Sequence, residues 1–472
     1  MAFLEWLGNA IWNPWLLGAF LLTGLYFSVR TGFFQLFSCP LWLTTTLGSL
    51  LRPRRREKSK GLTQLQAMAT ALASTIGTGS IAGVAAALTL GGPGSVFWMW
   101  VSALLGMMTS CGEKYLAVKY QRPGPDGALR GGPMYYIRDG LGSPFLAACF
   151  CLACIPATLV GGNLIQSSSI AASLEAAFGL PRLPVGVVTA LLTALVMVGG
   201  VGRIAAVSSA LVPAMALLYL GSGTAVLLCN WDRVPRALGL IFSCALSPAA
   251  AAGGAAGWTV AAALRHGVAR GVFTNEAGLG TSAMAHGAAR TDCPARQGMW
   301  GIFEVFLSTL AVCTVTALVI LVSGLPLSPA GPTGAPLTAA AFGSVLGRAG
   351  EGVVAVALLL FAFSSILGWS YYGEQCLFFL FFLSFEKERK RKKTSPVSSG
   401  KRSVFLYRFM FLGCTLLGAV WQGNSLWQLV DLCSALMALP NLTALLFLAP
   451  QALGDLRRWQ TGRKPKKMEK PY

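Results

Sequence analysis

Long apolar stretches, separated by short polar and often basic segments, run along the whole chain. A helix needs about 20 apolar residues to cross the hydrocarbon core of a bilayer. With that ruler the 472 residues predict about eleven spans. They lie at 11–37, 63–90, 94–119, 143–176, 183–201, 205–229, 236–264, 297–323, 351–383, 404–421 and 425–450. The loops between them are short and leave no room for a soluble domain. The polar segment 386–402, with Ser398, Ser399 and Gly400, reads as a mobile loop. The stretch 324–350, with Pro326, Pro329, Pro332 and Pro336, reads as a cap over the spans. The region 265–296 is unusually polar and reads as a helix or gate at the inner face.

Charge placement orients these spans, because Lys and Arg favour cytoplasmic loops. Arg52, Arg54, Arg55, Arg56, Lys58 and Lys60 follow the first span, which puts the amino terminus outside. The loop with Lys387, Arg389 and Lys390 then falls inside, as does the tail with Arg457, Arg458, Lys466 and Lys467. Of the 37 basic residues, Arg182, Arg233, Arg236 and Arg348 alone fall in outer loops. That separation supports the span count independently. It also argues against nucleic acid as the partner of a chain with net charge +20. A lipid bilayer is the expected surrounding, and the basic tail could meet anionic headgroups.

Composition agrees. Hydrophobic residues make up 54% and charged ones 11%, against about a quarter charged in a soluble domain. The expected class is an all-α polytopic membrane protein. Glu5 is the only charge before Arg30, so no secretory signal is expected. Cys149, Cys151 and Cys154 cluster, yet no His or carboxylate lies near, and buried thiols behave as small hydrophobes.

The second span is broken near its middle by Gly77-Thr78-Gly79. Irregular backbone at bilayer depth is tolerated only where it lines a cavity or is buried in protein. A discontinuous helix there marks the ligand site of a secondary transporter. Without the first span, spans two to six and seven to eleven form two groups of five. An odd number of crossings starts the second group from the opposite side, as in an inverted repeat. Span seven carries its own expected interruption at Pro248, Gly253-Gly254 and Gly257. Glycine enrichment also serves close helix packing, as Gly79 and Gly83 could.

Five strings, in order, resemble the alanine or glycine:cation symporters, also called sodium:alanine symporters. They are Gly77 to Ala85, Gly91 to Trp100, Gly131 to Ile137, Gly271 to Gly280 and Gly368 to Glu374. The likeness covers nearly the whole chain. It implies the leucine-transporter fold: two inverted five-helix repeats behind one extra amino-terminal helix. The expected division is one transporter domain over 1–472. The extra helix is at 11–37, the repeats at 63–229 and 236–450, and a basic cytoplasmic tail at 451–472.

The resemblance implies sodium-coupled symport of a small neutral amino acid, alanine or glycine, across the plasma membrane. An amino-acid carboxylate suits the helix restart near Gly79, where amides and the positive dipole end are free. The expected substrate contacts there are Thr78, Gly79 and Ser80. Before the break, carbonyls of Ser74, Thr75 and Ile76 lose helical partners, and such oxygens suit a hard cation. By resemblance, hydroxyls of Ser364 and Ser365 complete the sodium site, where the family usually has Thr-Thr. Gln166, which alone could be helix–helix glue, matches a substrate-contacting Gln. Trp369 matches a residue that shapes a small amino-acid pocket.

Two departures stand out from the family pattern. Ser80 replaces the usual Asn. Glu304 and Ser308 stand where Gly and Asp are usual, so a carboxylate is displaced by about one turn. Intramembrane carboxylates are functional candidates, and Glu304 is a possible coupling carboxylate. A proton-coupled carrier, with Glu304 or Glu113 titrating, is the alternative reading. A channel or non-transporting receptor is a further one, though no repeated filter is visible. Only His266 and His286 are present and no hydrolase or metalloprotease motif occurs, so an enzyme is not expected.

Overall fold

The computed structural model describes residues 14–49, 61–124, 127–246, 259–291, 293–328, 331–389, 397–421 and 425–460. Helices dominate. Seven described helical runs are long and apolar enough to cross a membrane. They are Gly94–Lys119, Pro144–Phe178, Gly200–Cys229, Pro294–Ser323, Arg348–Leu383, Ser403–Val420 and Leu429–Gln460. An eighth crossing is a bent pair, Gln64–Thr75 with Gly79–Gly91, whose halves meet at 50°. Two other expected spans fall on shorter apolar helices, Trp15–Arg30 and Arg182–Val198.

We number the helices that position the site. They are α1 (Pro14–Arg30), α2 (Gln64–Thr75), α3 (Val84–Gly91), α4 (Gly94–Lys119), α5 (Pro144–Leu159) and α6 (Ile165–Phe178). There follow α7 (Arg182–Val198), α8 (Gly200–Cys229), α9 (Val234–Leu246), α10 (Val260–Asn275), α11 (Pro294–Val305) and α12 (Thr314–Ser323). The chain ends with α13 (Ala335–Leu346), α14 (Arg348–Arg389), α15 (Val397–Val420) and α16 (Ser425–Gln460).

The first half of the bent pair starts from a reciprocal cap. Thr63 Oγ1 accepts from Gln66 N–H at 3.2 Å, and Gln66 Oε1 accepts from Thr63 N–H at 3.0 Å. Two amides that lack intrahelical partners are thereby satisfied. Thr63→Ala is expected to destabilise the start of α2 by about 1 kcal/mol, read as a lower thermal midpoint in detergent. At its other end α2 stops at Ile76, whose ψ of 81° leaves the helical region. The chain resumes through a widened turn at Gly79–Gly83 before α3. Such wide turns concentrate at functional positions. Two more occur here, at Val160–Leu164 between α5 and α6 and at Phe306–Cys313 between α11 and α12.

The sequence placed the second interruption at Pro248, Gly253-Gly254 and Gly257, which lie outside the described residues. The described chain breaks further on. α10 runs Val260–Asn275, past the expected end of span seven at 264, and packs along α4 and α3. Glu276 then adopts a left-handed φ of 54°, and Gly278 and Gly280 have φ of 93° and 82°. Only at Ala283–His286 does a helical turn re-form. Asn275 stabilises the turn locally, its Oδ1 accepting from Ala277 N–H at 3.0 Å. The polar region 265–296 thus holds the end of a helix, a buried break and a further helical turn. Glu276, Thr281, Ser282 and His286 are all buried.

Two other expectations change. Helix α15 begins at Val397, so Ser398, Ser399 and Gly400 are helical rather than part of a loop. The expected cap contains helix α13, and it lies on the first break. Thr338 Oγ1 donates to Ile81 O at 3.3 Å.

Candidate functional site

The first break, α6 and α14 converge. Ser364 and Ser365 stand on α14 where it packs against α2. Ser364 Oγ donates to Ala73 O at 3.1 Å. Ser365 Oγ donates to Ala73 O at 3.1 Å and to Ser74 O at 3.2 Å. Two hydroxyls and two carbonyls thus meet where α2 loses its helical register. Isolated serines in apolar helices usually bond to their own preceding turn. Ser364 does so as well, to Phe361 O at 2.9 Å, but both hydroxyls also reach across to another helix. These four neutral oxygens form a donor set of the kind hard cations take.

Of the expected cation ligands, Ser74 contributes its carbonyl to this group. Its side chain turns away, with Oγ 2.7 Å from Tyr372 Oη and 2.7 Å from Ala71 O. Thr75 and Ile76 are buried at the end of α2. Thr75 Oγ1 donates back to Leu72 O at 3.4 Å. Ala73 was missed by the sequence reading. Its carbonyl precedes the visible glycine break by a turn, and only the cross-helix contact identifies it.

Gln166 sits on α6 just beyond the wide turn at Val160–Leu164. Its Oε1 accepts from Thr78 N–H at 3.3 Å, and its Nε2 donates to Gly161 O at 3.2 Å. Two expected substrate contacts therefore meet each other directly. The Thr78 amide, one of those freed by the break, is capped by a side-chain oxygen. A substrate carboxylate would compete for that amide as a stronger, charged acceptor. Thr78 Oγ1 is buried and has no hydrogen-bond partner. An uncompensated buried hydroxyl costs free energy, so it is a natural point for a polar ligand.

The backbone passes these groups without side-chain clearance. A Cβ on Gly77 would lie 2.5 Å from Ser365 Oγ and 3.3 Å from Gln166 Oε1. Trp369 is buried beside Gly162, where a Cβ would overlap the indole ring and its Cβ. Its ring meets Tyr372 edge-on at 5.8 Å. The tryptophan is wedged against the wide turn Val160–Leu164 that leads into α6 and Gln166. Gly79 faces Phe273 and Thr274 of α10, which a Cβ would approach to 3.1 and 3.2 Å. Ser80 is buried and its carbonyl accepts from Thr316 Oγ1 at 2.9 Å. The two breaks are therefore neighbours. Phe273 and Thr274 were not singled out from the sequence, because a polar segment near a span end looks like surface.

Glu304 lies elsewhere. It is buried on α11 with its Oε2 3.5 Å from Lys114 Nζ and 3.2 Å from His286 Nε2. No hydrogen bond or ion pair joins it to the Ser364–Gln166 group. The intramembrane rule that singled out Glu304 applied equally to Lys114, near the end of an apolar helix, and could have found it. Among the described residues no group of three or more His, Cys, Asp or Glu could hold a metal ion. Cys151 and Cys154 are buried free thiols.

Fold and site together define a membrane carrier of the leucine-transporter type: broken helices at the centre of a bundle, with buried polar groups gathered at the break. A solved structure titled MhsT in complex with L-phenylalanine matches with a TM-score of 0.53. The match covers 85% of this chain and 99% of that one. At 14% identity this likeness shows the fold alone. The chain belongs to the sodium:alanine symporter family, whose model matches residues 1–471. It is 37% identical over 461 residues to the sodium/alanine symporter AgcS of Methanococcus maripaludis, covering 96% of each chain. It is 34% identical to the probable sodium/glutamine symporter GlnT of Bacillus subtilis, covering 97% of this chain and 90% of that one. Members of this family are carriers, not enzymes.

Proposed function

We propose that this protein is a sodium-coupled symporter of small neutral amino acids, alanine or glycine, working by alternating access. The observation that carries the reading is the meeting of Ser364 and Ser365 hydroxyls with the Ala73 and Ser74 carbonyls at the break of α2. A cation there would replace hydroxyl protons as the partner of those carbonyls. It would tie α14 to α2 and favour the state in which both are packed. The amino-acid carboxylate would take the amides after the break, displacing Gln166 Oε1 from Thr78. Gln166 would then turn to the substrate. Trp369 would close the pocket against larger side chains. Coupling follows if cation and substrate both favour the same closed state. The names AgcS and GlnT carry different amino acids, and the Trp369 wall supports the smaller one. The basic segments around 52–60 and 451–472 support an outside amino terminus and a cytoplasmic carboxyl terminus in the plasma membrane.

A competition panel in reconstituted vesicles at fixed membrane potential tests substrate choice. Labelled alanine uptake should be suppressed by unlabelled alanine and glycine and little affected by glutamine or phenylalanine. Equal suppression by glutamine would overturn the small-substrate reading. Gln166→Ala should raise the half-saturating substrate concentration by about tenfold or more, the scale of one lost hydrogen bond to a charged group. An unchanged value would remove Gln166 from the site.

A further inference from the structure

The two breaks differ in the oxygens they gather. The first gathers neutral ones, the hydroxyls of Ser364 and Ser365 and the carbonyls of Ala73 and Ser74. The second faces carboxylates, and a lysine stands among them. Lys114 Nζ on α4 donates to Ser110 Oγ at 2.7 Å and to Ser282 Oγ at 2.6 Å. It stands 3.5 Å from both Glu113 Oε2 and Glu304 Oε2. An ammonium has three N–H groups, so one remains for the two carboxylates. Four oxygens thus surround one positive charge, and they come from α4, from the segment after the break and from α11. The side chains of Lys114, Glu113 and Glu304 have no solvent exposure.

The partners of this charge are anchored in turn. Ser110 Oγ donates to Gly301 O on α11 at 3.1 Å. A Cβ on Gly301 would lie 2.9 Å from Ser110 Oγ and 3.0 Å from Lys114 Cδ, so α11 rests directly on the lysine stem. Glu113 Oε1 accepts from Gly278 N–H at 2.9 Å and from Asn441 Nδ2 at 2.7 Å, and Asn441 also donates to Gly278 O at 2.8 Å. Glu304 Oε2 meets His286 Nε2 at 3.2 Å, while His286 Nδ1 lies 2.6 Å from Gln297 Nε2. Glu276, on the same segment, accepts from Thr281 Oγ1 instead. The segment is therefore held at three points: Gly278 through Glu113, Ser282 through Lys114 itself, and His286 through Glu304. All three converge on the ammonium. Without it, two carboxylates would face each other across its position in a closed volume, which is strongly unfavourable. An ammonium carries the charge of a monovalent cation, and here it makes a cation's contacts while covalently tied to α4.

We infer that Lys114 is a positioning residue that acts as a tethered cation. It fills the place that a free ion would otherwise have to take at the second break, and it holds residues 278–286 against α4 and α11. The charge comes with the chain, so assembly of this break has no ion requirement of its own. The free cation of the proposed symport is then left to the Ser364–Ser365 group. That last step rests on the sodium-symport reading; the role of Lys114 at the break does not.

The test removes the charge and asks whether an ion replaces it. Thermal midpoints are read on the purified full-length protein in detergent, in sodium chloride or in choline chloride at equal ionic strength. Lys114→Ala vacates the ammonium's position and should lower the midpoint in choline by about 5 °C or more. High sodium should recover at least half of that loss, beyond any shift that wild type shows. An equal loss in both salts would overturn the tethered cation and leave an ordinary packing residue. Lys114→Met should also lose stability in choline, and adding Glu304→Gln, which removes one of the facing carboxylates, should restore at least half of it. Additive losses in the double variant would overturn the inference. Should the single variants fail to purify, the double should still do so, and its failure would overturn the inference as well. In vesicles, the Hill coefficient for sodium in alanine uptake should rise by about one in Lys114→Ala over wild type. An unchanged coefficient, or no uptake by the variant at any sodium concentration while wild type transports, would overturn the replacement by an ion. Absence of sodium-driven uptake in wild type, together with rescue by the double variant in detergent, would instead sink the symport reading and leave the role of Lys114 standing.

Discussion

Gly77→Ala is expected to reduce amino-acid uptake by about ten- to a hundredfold while the protein still purifies as a folded species. The added Cβ would sit 2.5 Å from Ser365 Oγ, so the hydroxyl or the backbone must shift. Overpacking of this kind costs about 1–3 kcal/mol. Here the displaced atoms are the ones that gather at the break, so the cost falls on the site. Gln166 Oε1 is 3.3 Å from the same Cβ and must move with them. Gly18→Ala in α1 is the control, since no atom lies within 4 Å of its added Cβ. That variant should transport at the wild-type rate. Uptake in vesicles, with thermal melting in detergent for both variants, separates a site effect from a folding one.

Removing the two serine hydroxyls should have the larger effect on ion dependence. Ser365→Ala deletes the hydroxyl that bonds both Ala73 O and Ser74 O, leaving two carbonyls at a helix end with one partner fewer. The half-saturating sodium concentration should rise by about tenfold or more, on the scale of a lost buried polar contact. At saturating sodium the rate should approach that of wild type. Ser364→Ala combined with Ser365→Ala should abolish sodium stimulation. Ser365→Thr keeps the oxygen and should restore most of the sodium response. A sodium titration of alanine uptake reads all three, and an unchanged half-saturation in the double variant would remove the cation from this position.

The first break was legible because its cause is local. Gly77 and Gly79 interrupt an apolar run, and a capped start at Thr63 fixes where that run begins. The span pattern was legible for the same reason, since about 20 apolar residues is a length any window can measure. The second break was not legible at its place. Asn275, Glu276, Thr281 and Ser282 read as surface because polar residues usually are. Their burial is made possible by groups far away in sequence: Glu113, 165 residues before Gly278, and Asn441, 163 residues after it. The same distance hid Ala73, whose part in the site comes from α14. Gln166 and Trp369 stood out through resemblance, and their placement near Thr78 and Gly162 comes from packing alone. Lys114 was visible as a charge in an apolar helix and was passed over beside a helix end.

The sharpest single measurement is labelled alanine uptake into proteoliposomes with and without an inward sodium gradient, at clamped membrane potential and equal pH on both sides. A cation held between α2 and α14 predicts uptake that rises above equilibrium only with the gradient. Equal uptake with and without it would contradict sodium coupling at the Ser364–Ser365 group.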